Sequence, residues 1–330
     1  MRKFSVIIPV YNRPDELTEL LKSLELQSYR NFEVLVIEDG SSLSSNLVAE
    51  RFKNTLDISY YYKDNSGPGQ TRNFGVQKAS GDYYVFFDSD CIIPPQYLAT
   101  VNEVLDKNYT DAYGGPDKAH SSFTPVQKAI NYSMTSFFTT GGIRGRKKQL
   151  DKFFPRSFNM GISQEVFDKT NGYSEMRFGE DIDLSLRIIE TGFKTQLIPD
   201  AFVYHKRRTS LKKFYKQVYN SGIARINLYK RHPHSLKMVH LLPAVFVAGN
   251  VLLLLLSLWN IIFLLPLLLY ILLIIADSFL LEKNILVALL SPVASYIQLF
   301  GYGLGFFHAL DKRILRGEDE FSAFSKNFYK

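Results

Sequence analysis

Apolar and polar positions switch between two periods in the first part of the chain. Short apolar runs, FSVIIPV (4–10), NFEVLVIEDG (31–40), DISYYY (57–62) and YYVFFDSD (83–90), are separated by stretches whose apolar residues fall at helical spacing, as Leu17, Leu20, Leu21 and Leu24 do within 14–27. The pattern predicts strands at the four runs and helices over 14–27, 42–54 and 69–79. Strand alternating with helix, with the strands apolar on both faces, implies an α/β fold built on a doubly wound, mainly parallel sheet. In such sheets ligands bind beyond the carboxyl ends of the strands. Those ends here are Pro9, Val10 and Tyr11, then Glu38, Asp39 and Gly40, then Asp88, Ser89 and Asp90. Three polar strand ends are therefore expected around one crevice.

The pattern changes near Val239. From there to about Leu281 the chain carries a single charge, Asp277, which is membrane composition. As one helix, about 40 residues would reach about 60 Å, twice a bilayer core, so a break is required. Trp259, Asn260 and Pro266 offer it, and two spans are expected at about 239–258 and 261–281. A third apolar stretch, 285–310, holds Ser291, Pro292, Ser295, Gln298 and the run GYGLG. Its pattern leaves open whether it crosses, re-enters or lies at the interface. The basic residues Lys230, Arg231 and Lys237 precede the first expected span, which places that side, and the α/β part, in the cytosol. The expected localisation is thus a multi-pass cytoplasmic membrane. At the N-terminus the apolar run before Pro9 is too short for a signal peptide and reads as the first strand.

Composition narrows the chemistry. A chain of 330 residues, 46% of them apolar, has room for one large catalytic domain and an appendage. The lone Cys91 excludes a disulfide framework and a multi-cysteine zinc site. The net charge of +7 comes largely from RGRKK (144–148), HKRR (205–208) and the Lys and Arg residues up to 231, among them Lys212, Lys213, Lys216 and Arg225. A basic helix just ahead of an apolar span suits anionic lipid headgroups or an anionic substrate, and no nucleic-acid motif accompanies it.

Two acidic clusters remain. Asp88 and Asp90 follow the apolar run YYVFF, where buried carboxylates are costly unless a cation is bound. His205 ends another apolar run, FVYH, and adds a candidate metal ligand. GEDIDLSLR (179–187) puts Glu180, Asp181 and Asp183 ahead of Ile182, Leu186, Ile189 and Phe193 at helical spacing. Alone it reads as an acidic helix start, favoured by the helix dipole. A nicotinamide-binding fold fails on detail, because GPGQTRNFG (67–75) has Arg72 where the fingerprint needs its third glycine and follows the third strand.

SVIIPVYNR, VLVIEDGSS, GPGQTRNFG, VFFDSDCIIPP, FNMGIS, NGYSEMRFGEDIDLSLR and VYHKRRTSLKKFYKQ stand in the chain in that order. Together, over residues 4 to about 230, they resemble the family 2 glycosyltransferases of the GT-A fold. Glu38 departs from the Asp that many members carry there. The resemblance implies a GT-A domain over 1–232; the apolar composition adds a membrane region over 233–310 and leaves a tail over 311–330. Pro9, Val10 and Tyr11 would line the nucleotide, Asp39 would contact its base, and Arg72 would help to hold it. Asp88 would reach ribose and metal, Asp90 and His205 would ligate the metal, Asp181 with Glu180 beside it would supply the catalytic base, and Asp183 would be a first-turn charge.

The activity that the resemblance implies is an inverting, metal-dependent transfer of a sugar, of the hexose type, from a nucleotide-sugar to a hydroxyl of a glycan. The expected spans put the acceptor at the membrane, so a lipid-linked glycan in cell-surface polysaccharide or glycoconjugate synthesis is expected. A mixed carboxylate and imidazole site suits Mn²⁺ at least as well as Mg²⁺. A polyprenyl phosphate acceptor is the nearest alternative, but it is already an anion and a carboxylate at the attack point repels it. A nucleotidyltransferase and a silent, membrane-anchored nucleotide-sugar binding module are the others, and the intact Asp88, Asp90, Glu180, Asp181 and His205 argue against the last.

Overall fold

The computed structural model describes residues 2–118, 120, 123–140, 153–206 and 208–323. The chain divides into two compact units, 1–120 with 147–206 and 121–146 with 207–330. The basic run at 144–148 lies outside the described residues, as does Arg207.

In the first unit the strands are β1 (Phe4–Val10), β2 (Phe32–Asp39), β3 (Ile58–Lys63), β4 (Tyr83–Phe87), β5 (Cys91–Ile92), β6 (Ala112–Gly114), β7 (Asp117–Lys118), β8 (Asn159–Ser163), β9 (Thr195–Leu197) and β10 (Val203–His205). Seven form one sheet in the order β3-β2-β1-β4-β8-β6-β9. Its first four strands are parallel, β8 runs antiparallel to both β4 and β6, and β9 is parallel to β6. A second, three-stranded sheet has the order β5-β10-β7. The doubly wound, mainly parallel expectation holds.

Burial on both faces explains why the first strands read as continuous apolar runs. Along β1, Phe4, Val6, Ile8 and Val10 pack with Leu17, Leu20, Leu21 and Leu24 of the helix Pro14–Glu25. Ile7 faces the other way, into a core with Leu35, Ile37, Phe86 and Met160. On that face Gly75 lets the helix Pro68–Val76 lie against the sheet, because a β-carbon there would meet Ile7.

The helix expected over 42–54 shrinks to Asn46–Arg51. Side chains claim the residues before it: Asn12 Oδ1 accepts from the Ser42 and Leu43 N–H groups, and Glu38 Oε2 accepts from that of Ser45. The strand expected over 83–90 stops at Phe87, and Asp88 begins a turn in which its carbonyl accepts from the Cys91 N–H at 3.1 Å.

The second unit is helical. The helices Pro125–Thr135 and Leu211–Arg231 bury Ala129, Ile130, Met134, Phe214 and Val218 against Val287 and Ala294 of the helix Ile285–Ala309. Composition leaves the segment around 130 with the α/β part, yet it packs here. The apolar region breaks where Trp259, Asn260 and Pro266 indicate, and a 3-10 turn at Ile261–Leu264 leads into the helix Leu265–Glu282.

The spans differ from those expected. Among the described residues two helices, Ile261–Glu282 and Ile285–Leu315, are long and apolar enough to cross a membrane, whereas Leu242–Ser257 is shorter. Its 16 residues reach about 24 Å, less than a bilayer core of about 30 Å. The residues before it are taken up in a 3-10 turn, Met238–His240. The stretch left open by its pattern is instead one continuous helix with Pro292 inside it. Its run GYGLG serves close packing within the unit, since a β-carbon at Gly301 would meet Val218 and one at Gly305 the Tyr219 carbonyl. Gly222 does the same from the other side, facing the Tyr302 carbonyl. Asp277 is not left bare, for Tyr132 donates to its Oδ2 at 2.6 Å and Ser136 at 3.3 Å.

Candidate active site

The parallel register brings the carboxyl ends of β1 and β2 level, with Val10 opposite Glu38. Val10 is buried in the core beside Leu17, so what it can offer a ligand is main chain; Pro9 and Tyr11 are partly exposed. Asn12, at φ +53°, turns the chain away, and its side chain pins residues 42 and 43.

At the end of β2 both carboxylates are engaged with the protein's own groups. Glu38 is fully buried, and its Oε2 accepts from the Ser45 N–H at 2.8 Å and from the Tyr60 hydroxyl. Burial first, and then this bond, push the Tyr60 hydroxyl up to about 12. Asp39 Oδ1 accepts from Lys63 Nζ at 2.9 Å and the Ser66 N–H at 2.8 Å; its Oδ2 accepts from the Gly67 N–H at 2.9 Å and Asn65 Nδ2 at 3.2 Å. Asp39 thereby holds the loop 63–67 that launches the helix Pro68–Val76. A contact from Asp39 to a base would need one of these bonds to be exchanged, because each carboxylate oxygen already accepts two.

The end of β4 is different. Asp88 Oδ1 accepts from Arg72 Nη2 at 2.5 Å. Asp90 Oδ2 accepts from Arg13 Nη1 at 2.9 Å, and Asp90 Oδ1 lies 3.1 Å from His205 Nε2. The small sheet makes the second contact, because β10 runs antiparallel to β5 with His205 opposite Cys91, the neighbour of Asp90. Phe158 stacks on the His205 ring at 4.9 Å between centroids and fixes its plane.

Asp90, Cys91 and His205 offer ligand atoms that all lie within 4.8 Å of one another. Burial, then the charges of Asp90 and Asp88, push the Cys91 thiol well up, and its Sγ donates to the Phe158 carbonyl. That leaves Asp90 Oδ1 and His205 Nε2 as the apt donors. An octahedral cation with ligands at about 2.1 Å needs neighbouring donors about 3 Å apart, close to the spacing these two atoms have. The residues fit a hard divalent cation.

Across the crevice, the helix Glu180–Glu190 starts from Gly179 at φ +85°, a conformation that glycine adopts without a β-carbon clash. Gly69 lets the helix Pro68–Val76 approach, since a β-carbon there would lie 3.2 Å from both Glu180 Cγ and Tyr173 Cβ. Asn73 clamps the two segments, its Nδ2 donating to the Tyr173 carbonyl and its Oδ1 accepting from the Tyr173 N–H, both at 2.8 Å.

Arg72 joins the two sides. It is 2% exposed, lies 5.3 Å from the Tyr173 ring centroid, and reaches Asp88 with Nη2 while Nη1 is 3.6 Å from Glu180 Oε1. Its Nε and Nη1 have no hydrogen-bond partner among the described residues. Burial pulls the guanidinium down, but Asp88, Tyr173 and Glu180 outweigh it and the net shift is up. Burial and the charge of Asp181 push the Glu180 carboxyl up to about 7, against the pull of Arg72.

Asp181 is held twice: Oδ1 accepts from the Ile182 N–H at 2.8 Å, and Oδ2 pairs with Arg156 Nε at 2.9 Å. Asp183 does more than favour the helix dipole. It is buried and pairs with Arg187 through Nε and Nη2, while Arg187 also donates to the Thr170 and Gly172 carbonyls.

The structure thus gathers Asp88, Asp90, His205, Arg72, Glu180 and Asp181 along one chain of contacts. Arg13, on Asp90, and Arg156, on Asp181, belong to it as well, while Lys63 holds Asp39. Arg13 stands inside SVIIPVYNR and Lys63 ends β3, but only the fold shows which carboxylate each meets. For Arg156 the sequence offers no signal.

The profile of Glycosyl transferase family 2 matches residues 5–170. An uncharacterised glycosyltransferase of Rickettsia conorii is 44% identical over 106 residues, 32% of this chain and 18% of that protein. The poly(ribitol-phosphate) beta-N-acetylglucosaminyltransferase TarS of Staphylococcus aureus is 36% identical over 115 residues, 34% of this chain and 20% of TarS. The matches thus span about a fifth of the length of these two relatives. Among solved structures, the mannosyltransferase PcManGT from Pyrobaculum calidifontis, in complex with GDP-Man and Mn2+, superposes with a TM-score of 0.65 at 15% identity, over 90% of this chain and 87% of that one. S. aureus TarS 1-349 in complex with UDP-GlcNAc superposes with a TM-score of 0.51 at 20% identity, over 96% and 92%. At these identities the superpositions speak for a shared fold, the GT-A fold.

Proposed function

The chain belongs to glycosyl transferase family 2, and on that premise we propose that it moves a sugar, of the hexose type, from a nucleotide-sugar to a hydroxyl of a lipid-linked glycan, with inversion at the anomeric carbon. The observation that carries this reading is Arg72: a buried guanidinium whose Nε and Nη1 have no hydrogen-bond partner among the described residues, set between Asp88 and Glu180. Such a group is made for an anion, and the donor diphosphate is the anion this reaction brings.

A divalent cation held by Asp90 and His205, with Asp88 beside it, would neutralise the diphosphate leaving group; Mn²⁺ or Mg²⁺ serves. Arg72 binds the same diphosphate from the other side. Asp181 takes the proton of the acceptor hydroxyl as that oxygen attacks, and general-base help of this kind is worth about 10²–10⁴ in rate. Arg156 orients Asp181 through Oδ2. Glu180 stays neutral at low pH and limits the repulsion between the two acids.

The membrane part of the reading is supported by the two helices long and apolar enough to cross a bilayer. The basic residues of the helix Leu211–Arg231 add to it, since each Lys or Arg near anionic lipid contributes about 1 kcal/mol. A glycan carried on a membrane lipid, with the catalytic unit on the cytosolic face, fits both, as does a role in surface polysaccharide or glycoconjugate synthesis.

The test is release of nucleoside diphosphate by the purified full chain from a panel of nucleotide-sugars, with and without Mn²⁺, supplied with one glycan either on its lipid or free. Turnover of one donor, dependent on Mn²⁺ and much faster with the lipid-linked glycan, is expected. Equal rates with free glycan would remove the lipid from the proposal, and no turnover or donor binding at all would remove the donor.

A further inference from the structure

Both carboxylates of the Asp-Ser-Asp turn are already neutralised by guanidinium groups. Asp88 carries Arg72 at 2.5 Å, and Asp90 carries Arg13 at 2.9 Å. Among the described residues these two carboxylates face two guanidinium groups, so a bare divalent cation arriving at Asp90 meets little net attraction and a guanidinium close by.

The two arginines differ in their freedom. Arg72 is 2% exposed and lies over Tyr173, held by a helix packed on the sheet. The Arg13 side chain is 36% exposed, and its Nη1 is also 2.9 Å from Glu16 Oε2, one turn along the helix that begins after it. Its backbone does not need to move, because Asn12 beside it is tied to residues 41–43. Arg13 therefore has a second anionic partner ready when it lets go of Asp90.

Resting on the nucleotide-sugar reading, we infer that Arg13 is a stand-in cation that makes divalent metal binding conditional on the nucleotide. A nucleoside diphosphate brings the negative charge that the site lacks. Metal and nucleotide then each tighten the other, and Arg13 shifts its weight to Glu16 or to the diphosphate. Couplings between ligands commonly amount to about 5–150-fold.

The experiment is Mn²⁺ binding by the full chain, read from the electron paramagnetic resonance signal of free Mn²⁺, alone and with UDP or GDP. Wild type is expected to bind Mn²⁺ at least about 10-fold more tightly when its nucleotide is present. R13M is expected to bind free Mn²⁺ about 10-fold more tightly than wild type, with the nucleotide effect reduced by the same factor. R13K keeps the charge and stays near wild type. Glu16→Gln removes the second partner and weakens free Mn²⁺ binding a few-fold, about the size of a surface charge effect. Thermal melting of each variant reports folding. If R13M binds free Mn²⁺ no more tightly than wild type while both respond to nucleotide, Arg13 is only a helix-start contact and the inference falls. If wild type binds neither Mn²⁺ nor either nucleotide, the nucleotide-sugar reading falls first and takes the inference with it.

Discussion

The ends of β2 and β4 look alike as sequence, each an apolar run followed by two carboxylates within three residues, but they are used in opposite ways. Glu38 and Asp39 accept from the main-chain N–H groups of Ser45, Ser66 and Gly67 as well as from the side chains of Tyr60, Lys63 and Asn65. Asp88 and Asp90 are satisfied by the side chains of Arg72, Arg13 and His205. A main-chain donor cannot leave without unfolding a loop, whereas a side-chain cation can be exchanged for a ligand. Main-chain anchoring gives the first pair an architectural part, and the all-side-chain partners of the second make it the candidate site. Acidic residues at strand ends are best sorted by what sits on them.

Asp181 is the mixed case, with one oxygen on a main-chain N–H and the other on Arg156. It therefore gives the hardest test of the distinction. Asp181→Asn keeps a bond to Ile182 and is expected to melt near the wild-type temperature while transfer falls about 10²–10⁴-fold, with Mn²⁺ and nucleotide binding retained. Near wild-type turnover would pass the role of base to Glu180.

At the architectural end, Asp39→Asn leaves Lys63 without its charged partner. A loss of about 3 kcal/mol is expected, seen as a clear drop in the denaturation midpoint. Asp90→Asn should cost far less stability, because Arg13 retains Glu16. Equal destabilisation by the two substitutions would erase the contrast between the strand ends.

The metal response should divide the other way. Asp90→Asn and His205→Ala are each expected to weaken Mn²⁺ binding in the presence of nucleotide by at least about 10-fold, since even partners of metal ligands are worth that much. Asp39→Asn, in its folded fraction, should bind Mn²⁺ as wild type does. An unchanged Mn²⁺ titration in His205→Ala would take the imidazole out of the site.

The smallest effect is a pH dependence. Glu180, pushed up to about 7, holds its proton in the folded state where the unfolded chain, with an ordinary carboxyl near about 4.3, has released it. Stability is expected to fall as pH rises from about 4.5 to about 7, because the native state then binds more protons than the unfolded one. Melting temperatures across that range check it, and Glu180→Gln should flatten the slope. A slope unchanged in the variant would assign it to another group.

Much of this could be read from the sequence, because strands buried on both faces announce themselves as apolar runs and their polar ends mark the crevice. Asp88, Asp90 and His205 were legible as candidate ligands, since buried carboxylates after a strand need cations, whereas Arg72 came only from the resemblance. Their pairing was not legible. That His205 meets Asp90 depends on β10 joining β5, a pairing of two short strands over a hundred residues apart, and short strands carry little periodicity. Glu38 departed from a motif without explanation until Tyr60 and the Ser45 N–H appeared opposite it. The membrane pattern gave the break near Trp259 but not the lengths on either side, because a 3-10 turn at Met238–His240 looks as apolar as the helix it precedes.

The glycines at 222, 301 and 305 remove the side chains that would hold the helices Leu211–Arg231 and Ile285–Ala309 apart, so the two backbones pack closely. Were Ile285–Ala309 to span a bilayer, such a pair would answer a thicker or thinner one as a single lever, because the tilt that relieves mismatch in one helix must be shared by the other. On the proposed membrane reading the basic helix would thereby be coupled mechanically to lipid thickness, and a bulky residue at Gly305 would uncouple the two before it disturbed either helix alone.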